Sequence, residues 1–317
     1  MPSSVTVAVL GSRGVAAELG KKGTQSDITM FNQVRDGHAA TLVEPTQYPE
    51  KFGALLTALA MADRAILVVP ELSREIAETI ATVDVFETPV ELFLGPGAGE
   101  AEVGRAIKKT RLDVGPARPL ELTKLRAEID AWEVPDAGAG PLLVRIDHAF
   151  PVKGVGAVAL GVVRRGTLQA HQRLRLFPGP KEVEVRSIQV HDVEVPSAAP
   201  GERVGVALRG IEADELARGQ TLAPAGALEV ATSFAGRLER PCPYYRGRIA
   251  PGAPFQLLVG LQLVPIRLTR ASEGDLGWES DRPVAFAVGD PAWICDPSAL
   301  PGPRIVGRVR LSGRAEG

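Results

Sequence analysis

The chain is poor in the residues that most often announce a site. Only two cysteines, Cys242 and Cys295, and four histidines, His38, His148, His171 and His191, occur in 317 residues. The cysteines stand too far apart for a metal-like spacing, so thiols in a reducing cytosol are expected rather than a disulfide. The histidines form no His-Glu-x-x-His pattern, and neither a Gly-x-Ser-x-Gly elbow nor a Cys-His arrangement appears. The sequence therefore nominates no catalytic residue and no metal ligand. Long apolar runs are also missing. No stretch approaches the ~18 apolar residues of a membrane span, and the start MPSSVTVAVLGS lacks the basic segment of a leader. A soluble, cytoplasmic protein with no membrane partner is the expectation.

Charge is present but unevenly shared. Residues 1–138 carry 14 Lys and Arg against 20 Asp and Glu, whereas 141–225 and 226–317 each carry 11 against 9. A modest basic surplus permits contact with an RNA backbone without requiring one, because a patch depends on how charges gather on one face.

Three segments follow from the hydrophobic pattern. Apolar strands at Val5 to Leu10, Ala40 to Val43, Ala65 to Val69 and Val90 to Leu94 alternate with helical runs at Val15 to Leu19, Lys51 to Ala62, Ser73 to Val83 and near Leu120 to Trp132. Continuous apolar strands separated by helices predict a mostly parallel sheet covered on both faces, an α/β domain over residues 1–138. The stretch VPDAGAGP, Val134 to Pro141, reads as a linker. Short alternating strands with Gly and Pro turns then predict two all-β barrels, over 141–225 and 226–317.

The first of these barrels carries a specific pattern. GVGAVALGVVRRGTLQAHQRLRLFP, EVRSIQVH and APGERVGVALRGIEADELARGQTLAP place Gly154, Gly156, Gly161, Gly166, Gly201, Gly205, Gly210 and Gly219 where a small barrel needs turns, bulges or close approach. In this the chain resembles the second domain of the elongation factor Tu and SelB-like translation factors. The resemblance is strong over roughly 80 residues and implies an N-terminal GTPase-like domain of the P-loop type followed by two β-barrels.

Against that pattern the nucleotide motifs are degraded. A phosphate loop needs Gly, four residues, then Gly-Lys-Ser/Thr. Counting from Gly11, the corresponding positions hold Ala16, Ala17 and Glu18. In TLVEPTQYPEKF, Glu44 stands where the family has a magnesium-ordering Asp, and its Pro-Gly-His is lost. After the strand Val90 to Leu94 the chain reads Gly95-Pro96-Gly97-Ala98, with no Asn-Lys-x-Asp to read guanine. No cofactor is therefore expected. The competing reading is an active GTPase with a rearranged loop, in which Lys21 or Lys22 of Gly20-Lys21-Lys22-Gly23-Thr24 holds phosphate and Thr29 holds the magnesium of bound GTP or GDP. The bland readings are a solvated basic turn for the lysines and an ordinary loop hydroxyl for Thr29.

The resemblance further implies an aminoacyl pocket at Asp147, His148, Phe150, His191 and Arg203. There His and Arg would stabilise a selenolate, and Asp would hold the esterified α-amino group. The implied partners are tRNA, aminoacyl-tRNA or the ribosome, with no DNA. A paralogue with a lost nucleotide switch is the leading expectation, and a protein-binding scaffold the remaining alternative.

Overall fold

A computed structural model describes residues 3–35, 37–112, 117–132 and 139–314. The predicted linker, 134–141, lies for the most part outside the described residues.

The first layer system begins with β1 (Ser3–Leu10), α1 (Val15–Leu19), β2 (Lys21–Gln25), β3 (Thr29–Arg35) and β4 (His38–Glu44). It continues through α2 (Phe52–Met61), β5 (Arg64–Val69), α3 (Arg74–Phe86), β6 (Val90–Leu94), α4 (Glu100–Ile107), β7 (Arg118–Pro119) and α5 (Leu122–Asp130). The seven strands lie in the order β2-β3-β4-β1-β5-β6-β7. β4, β1, β5, β6 and β7 run parallel, whereas β2 and β3 are added antiparallel. Alternation along β1 explains the two covers. Val5, Val7 and Val9 form a core with Val15, Leu19, Leu125 and Ile129 of α1 and α5, while α2 packs on β1 and against α3. The β2–β3 hairpin and α4 are not predicted by the apolar pattern, because β2 is a polar edge strand with a mainly exposed face.

The second sheet comprises β8 (Leu143–Val152), β9 (Gly156–Arg165), β10 (Leu168–Gln169), β11 (Arg173–Phe177), β12 (Glu182–Val190), β13 (Val193–Val195), β14 (Ser197–Ala198), β15 (Arg203–Arg209) and β16 (Thr221–Ala223). Seven of these strands lie in the order β11-β16-β8-β9-β15-β12-β13, and β11 pairs back on β12. Its interior is aliphatic, with Val144, Ile146, Ala159, Val206 and Leu222 among the buried residues. Gly161 shows why the glycine pattern is specific: a Cβ there would sit 2.3 Å from the Arg145 carbonyl oxygen across the β8–β9 pair.

The remaining strands, β17 (Glu229–Pro241), β18 (Pro254–Val259), β19 (Gln262–Ser272), β20 (Asp275–Phe286), β21 (Pro291–Cys295) and β22 (Ile305–Arg314), form a closed barrel. Its centre is aromatic, with Trp278 edge-on to Phe234 at 5.6 Å. Compactness divides the chain differently from the sequence reading. Arg240–Arg248 and Trp293–Arg308, placed by the sequence in the last barrel, pack as part of the α/β unit. The reason lies on α3. Phe86 stacks on Trp293 at 4.1 Å, Asp84 takes a hydrogen bond from Arg240 at 2.9 Å, and Glu78 is bound by Arg304 at 2.6 Å.

No helix among the described residues is long and apolar enough to cross a membrane. Both cysteines are buried free thiols.

Candidate functional site

Two places answer to the sequence motifs: the loop after β1 and the β8 end of the second sheet. At the first, Gly11 turns the chain sharply, with φ 87° and its Cα so close to β5 that a Cβ would fall 2.1 Å from the Val68 carbonyl oxygen. Gly14 follows in the left-handed region, and α1 begins at Val15 with no side chain capping it. Helix starts leave backbone N–H groups pointing outward, which is where a phosphate would sit. Here a carboxylate occupies that position. Glu44, at the end of β4 and buried, accepts from the Gly14 N–H at 3.2 and 3.3 Å. Burial raises its pKa, and the Gly14 and Ala16 amides with Arg13 only partly oppose that rise.

The surroundings close over this contact. Arg13 donates to the Tyr48 carbonyl at 2.9 Å, and the Tyr48 hydroxyl donates to the Glu75 carbonyl at 2.8 Å and to Glu78 at 3.0 Å. Arg304 binds Glu78 through Nε and Nη2 and donates to the Pro49 carbonyl at 3.2 Å, while its guanidinium stacks over Phe52. The cleft left between Gly11, Glu44, Tyr48 and Pro70 measures about 150 Å³. Sites for drug-sized ligands run from about 300 Å³ upward, larger than this cleft. At the position of the guanine reader, Gly95 and Gly97 bond to the Val69 and Pro70 carbonyls at 2.7 and 3.0 Å, and the loop packs directly on Pro70.

Of the remaining nucleotide candidates, the two lysines fall elsewhere. Lys21 and Lys22 lie exposed on the edge strand β2, separated from β1 by β3 and β4. Three strand spacings put them roughly 14 Å across the sheet from the Gly11 strand, beyond the reach of a lysine toward a phosphate there. Their position is that of edge charges that discourage strand addition. Thr29 opens β3, is buried, and shares its hydroxyl hydrogen bond with Thr46 at 3.1 Å. Lys21 and Lys22 are therefore not brought to the Gly11 loop, whereas Thr29 pairs across β3–β4 with Glu44, beside that loop.

The barrel candidates partly converge. Between Ile146 and His148 the β8–β9 register shifts, making Asp147 the extra residue of a bulge. Bulges re-aim side chains, and this one turns Asp147 inward, where its side chain is fully buried. Arg203, at the start of β15, grips both carboxylate oxygens at 2.5 and 2.8 Å, and His148 Nδ1 lies 2.7 Å from Oδ1. Arg218, which the sequence did not single out, donates to the Asp147 carbonyl at 3.2 Å. Burial alone would raise the Asp147 pKa, but Arg203 and His148 outweigh it and the net shift is downward. Asp147 thus orients Arg203 and His148 and presents no open carboxylate to a ligand's ammonium. Phe150 is 38% exposed two residues beyond His148. His191 follows β12 in a left-handed turn with φ 49°, and its Nε2 is buried without a hydrogen-bond partner among the described residues.

Comparison with known proteins agrees with this architecture. The family described as "Elongation factor Tu domain 2" matches residues 156–223. An uncharacterized protein of Methanocaldococcus jannaschii is 33% identical over 297 residues, covering 93% of this chain and 96% of that one. The selenocysteine-specific elongation factor of the same organism is 25% identical over 269 residues, 77% of this chain but 57% of that protein. Among solved structures, the translation elongation factor SelB from Methanococcus maripaludis, in complex with the GTP analogue GppNHp, superposes with a TM-score of 0.82. It is 20% identical and covers 99% of this chain and 79% of its own, a likeness of fold. On this evidence the chain belongs to the elongation factor Tu and SelB-like family of translation factors.

Proposed function

We propose that this elongation factor-like protein binds tRNA, aminoacyl-tRNA or the ribosome without a GTP switch. The observation that carries the reading is the Glu44 carboxylate seated on the Gly14 amide, where a nucleotide phosphate would have to lie. A phosphate brought there would meet a buried carboxylate, and like charges a few ångströms apart at low dielectric repel strongly. The lost guanine reader and the 150 Å³ cleft support the same reading.

On the barrel, His148 and Phe150 offer a polar and an aromatic contact for the aminoacyl end of a tRNA. Asp147 acts from beneath by fixing His148 and Arg203. His191 is a further candidate for that pocket.

Titration of the whole chain with labelled GTP and GDP in magnesium tests the nucleotide half. No saturable binding at micromolar concentrations is expected, and micromolar affinity would sink it. For the RNA half, charged and uncharged tRNA are titrated across a salt series. Phe150→Ala, at an exposed position, should weaken charged tRNA more than uncharged. Equal binding of both tRNAs by the wild type and the variant would remove the aminoacyl pocket.

A further inference from the structure

The outer sheet edge of the α/β unit is only partly covered. β2 begins at Lys21, opposite Asn32, whereas β3 runs on through Gln33, Val34 and Arg35. Those three residues pair with Ala40, Ala39 and His38 of β4, and among the described residues no strand lies on their other side. The chain entering β2 leaves the gap open, because it arrives from α1, which ends at Leu19, and not from along β3. What remains is a groove of about 500 Å³ between residues 17–21, residues 32–35 and Arg126 of α5.

The two faces of this edge differ. Alternation sets Gln33 and Arg35 on the same face as Phe31, which lies in the core with Leu19, Leu125 and Ile129. Gln33 accordingly donates to Asp130 of α5 at 2.6 Å, and Arg35 stands 3.6 Å from the same carboxylate with its side chain 54% exposed. Arg126 reaches this side too, donating to the Glu18 carbonyl. Val34 points to the other face and is 59% exposed. Lys21, exposed at the start of β2, makes no hydrogen bond or ion pair among the described residues.

These features select a partner. An open strand edge presents backbone N–H and C=O groups that only another extended chain satisfies in series, so it calls for a peptide and not a nucleic acid. Lys21, Arg35 and Arg126 stand on an otherwise acidic segment, residues 1–138, so the edge repels a basic strand and attracts an acidic one. Charges that keep like edges apart also choose their complement.

We propose that the edge of β3 at residues 33–35 docks an acidic, extended segment of a partner protein as a short added strand. Residues directly opposite one another across a ladder share a face. The partner residue set against Val34 is therefore apolar, and its neighbours, on the face of Gln33 and Arg35, include the acid that meets Arg35 and Arg126. None of these residues belongs to the aminoacyl candidates, so the docking stands or falls independently of RNA binding.

The test uses the full chain and a fluorescein-labelled peptide of alternating Glu and Val. It is titrated at low salt beside a Lys and Val counterpart and beside the same Glu and Val peptide N-methylated at every residue. The unmodified Glu and Val peptide should bind about tenfold tighter than either, the ratio that one or two ladder hydrogen bonds supply. Hydrogen exchange should slow at residues 33–35. Lys21→Glu and Val34→Asp, both at exposed positions, should each weaken that peptide about fivefold to tenfold. Val193→Asp, 63% exposed on the edge strand of the second sheet, should change nothing. If one edge variant melts early, the other carries the same expectation. Equal binding of the N-methylated peptide reduces the contact to charge attraction and overturns strand addition. Absence of saturable binding, unchanged binding in both edge variants, or protection elsewhere than residues 33–35 overturns the docking. Displacement of the peptide by single-stranded RNA that protects the same residues would assign the edge to nucleic acid and overturn its assignment to a protein.

Discussion

Glu44 gives the sharpest test of the proposal that a carboxylate takes the place of a nucleotide phosphate. Its carboxylate accepts from the Gly14 amide, yet its pKa is raised because burial outweighs the nearby backbone amides and Arg13. A carboxyl raised in this way binds its proton more tightly in the folded state. Stability is then greatest below the ordinary value of 4.5 and is lost as pH rises through the higher folded value. Glu44→Gln keeps the side-chain length and an oxygen acceptor but carries no charge. It should melt at or above the wild type at pH 8, and the two should converge below pH ~4.5, where both are neutral. Glu44→Ala removes the acceptor altogether. Losing the acceptor of the Gly14 N–H costs about 0.5–1.5 kcal/mol, so this variant should melt a few degrees lower at every pH. Thermal melts by circular dichroism between pH 4 and 8 read all three proteins. If Glu44→Gln falls as far as Glu44→Ala at pH 8, the amides require a charge, and the position is an anion seat rather than a plug.

Three further outcomes follow from the packing. Asp147→Asn leaves Arg203 buried against a neutral partner and should cost about 3–5 kcal/mol at neutral pH in denaturant unfolding. Because the Asp147 pKa is lowered, that difference should persist to acid pH and shrink only as the pH falls below the ordinary value of 3.8, through the folded value. Arg304→Ala strips the buried Glu78 of its cation and should cost about 3–5 kcal/mol; a change below about 1 kcal/mol would show that Tyr48 alone suffices. Trp293→Ala removes a ring stacked at 4.1 Å on Phe86 and should cost about 3–5 kcal/mol, read as an earlier melt of the α/β unit by hydrogen exchange on α3.

Much of the architecture was legible because the signals were local. β1, β5 and β6 are near-continuous apolar runs, as strands buried on both faces must be, and the structure gives them within one or two residues of the predicted spans. The barrel glycines were legible for a different reason: a backbone that passes as close as β8 does to Gly161 admits no other residue. The β2–β3 hairpin was not, because a polar edge strand has no apolar stripe to reveal it. Lys21 and Lys22 looked near the phosphate loop in sequence, but pairing β2 onto β3 carried them across the sheet.

The sequence by itself determined the family, the three-part order of an α/β layer and two barrels, and the departure of three motifs from the family's nucleotide pattern, since each of these is written in spacing and residue type. Only the tertiary structure decided what replaced them. Glu44 read as a missing magnesium ligand until the fold set it against the start of α1. Asp147 read as an open carboxylate until a one-residue bulge turned it into the barrel beneath Arg203 and His148. A side chain's partners depend on which strands lie side by side and where their register slips, and neither is carried by the local order of residues.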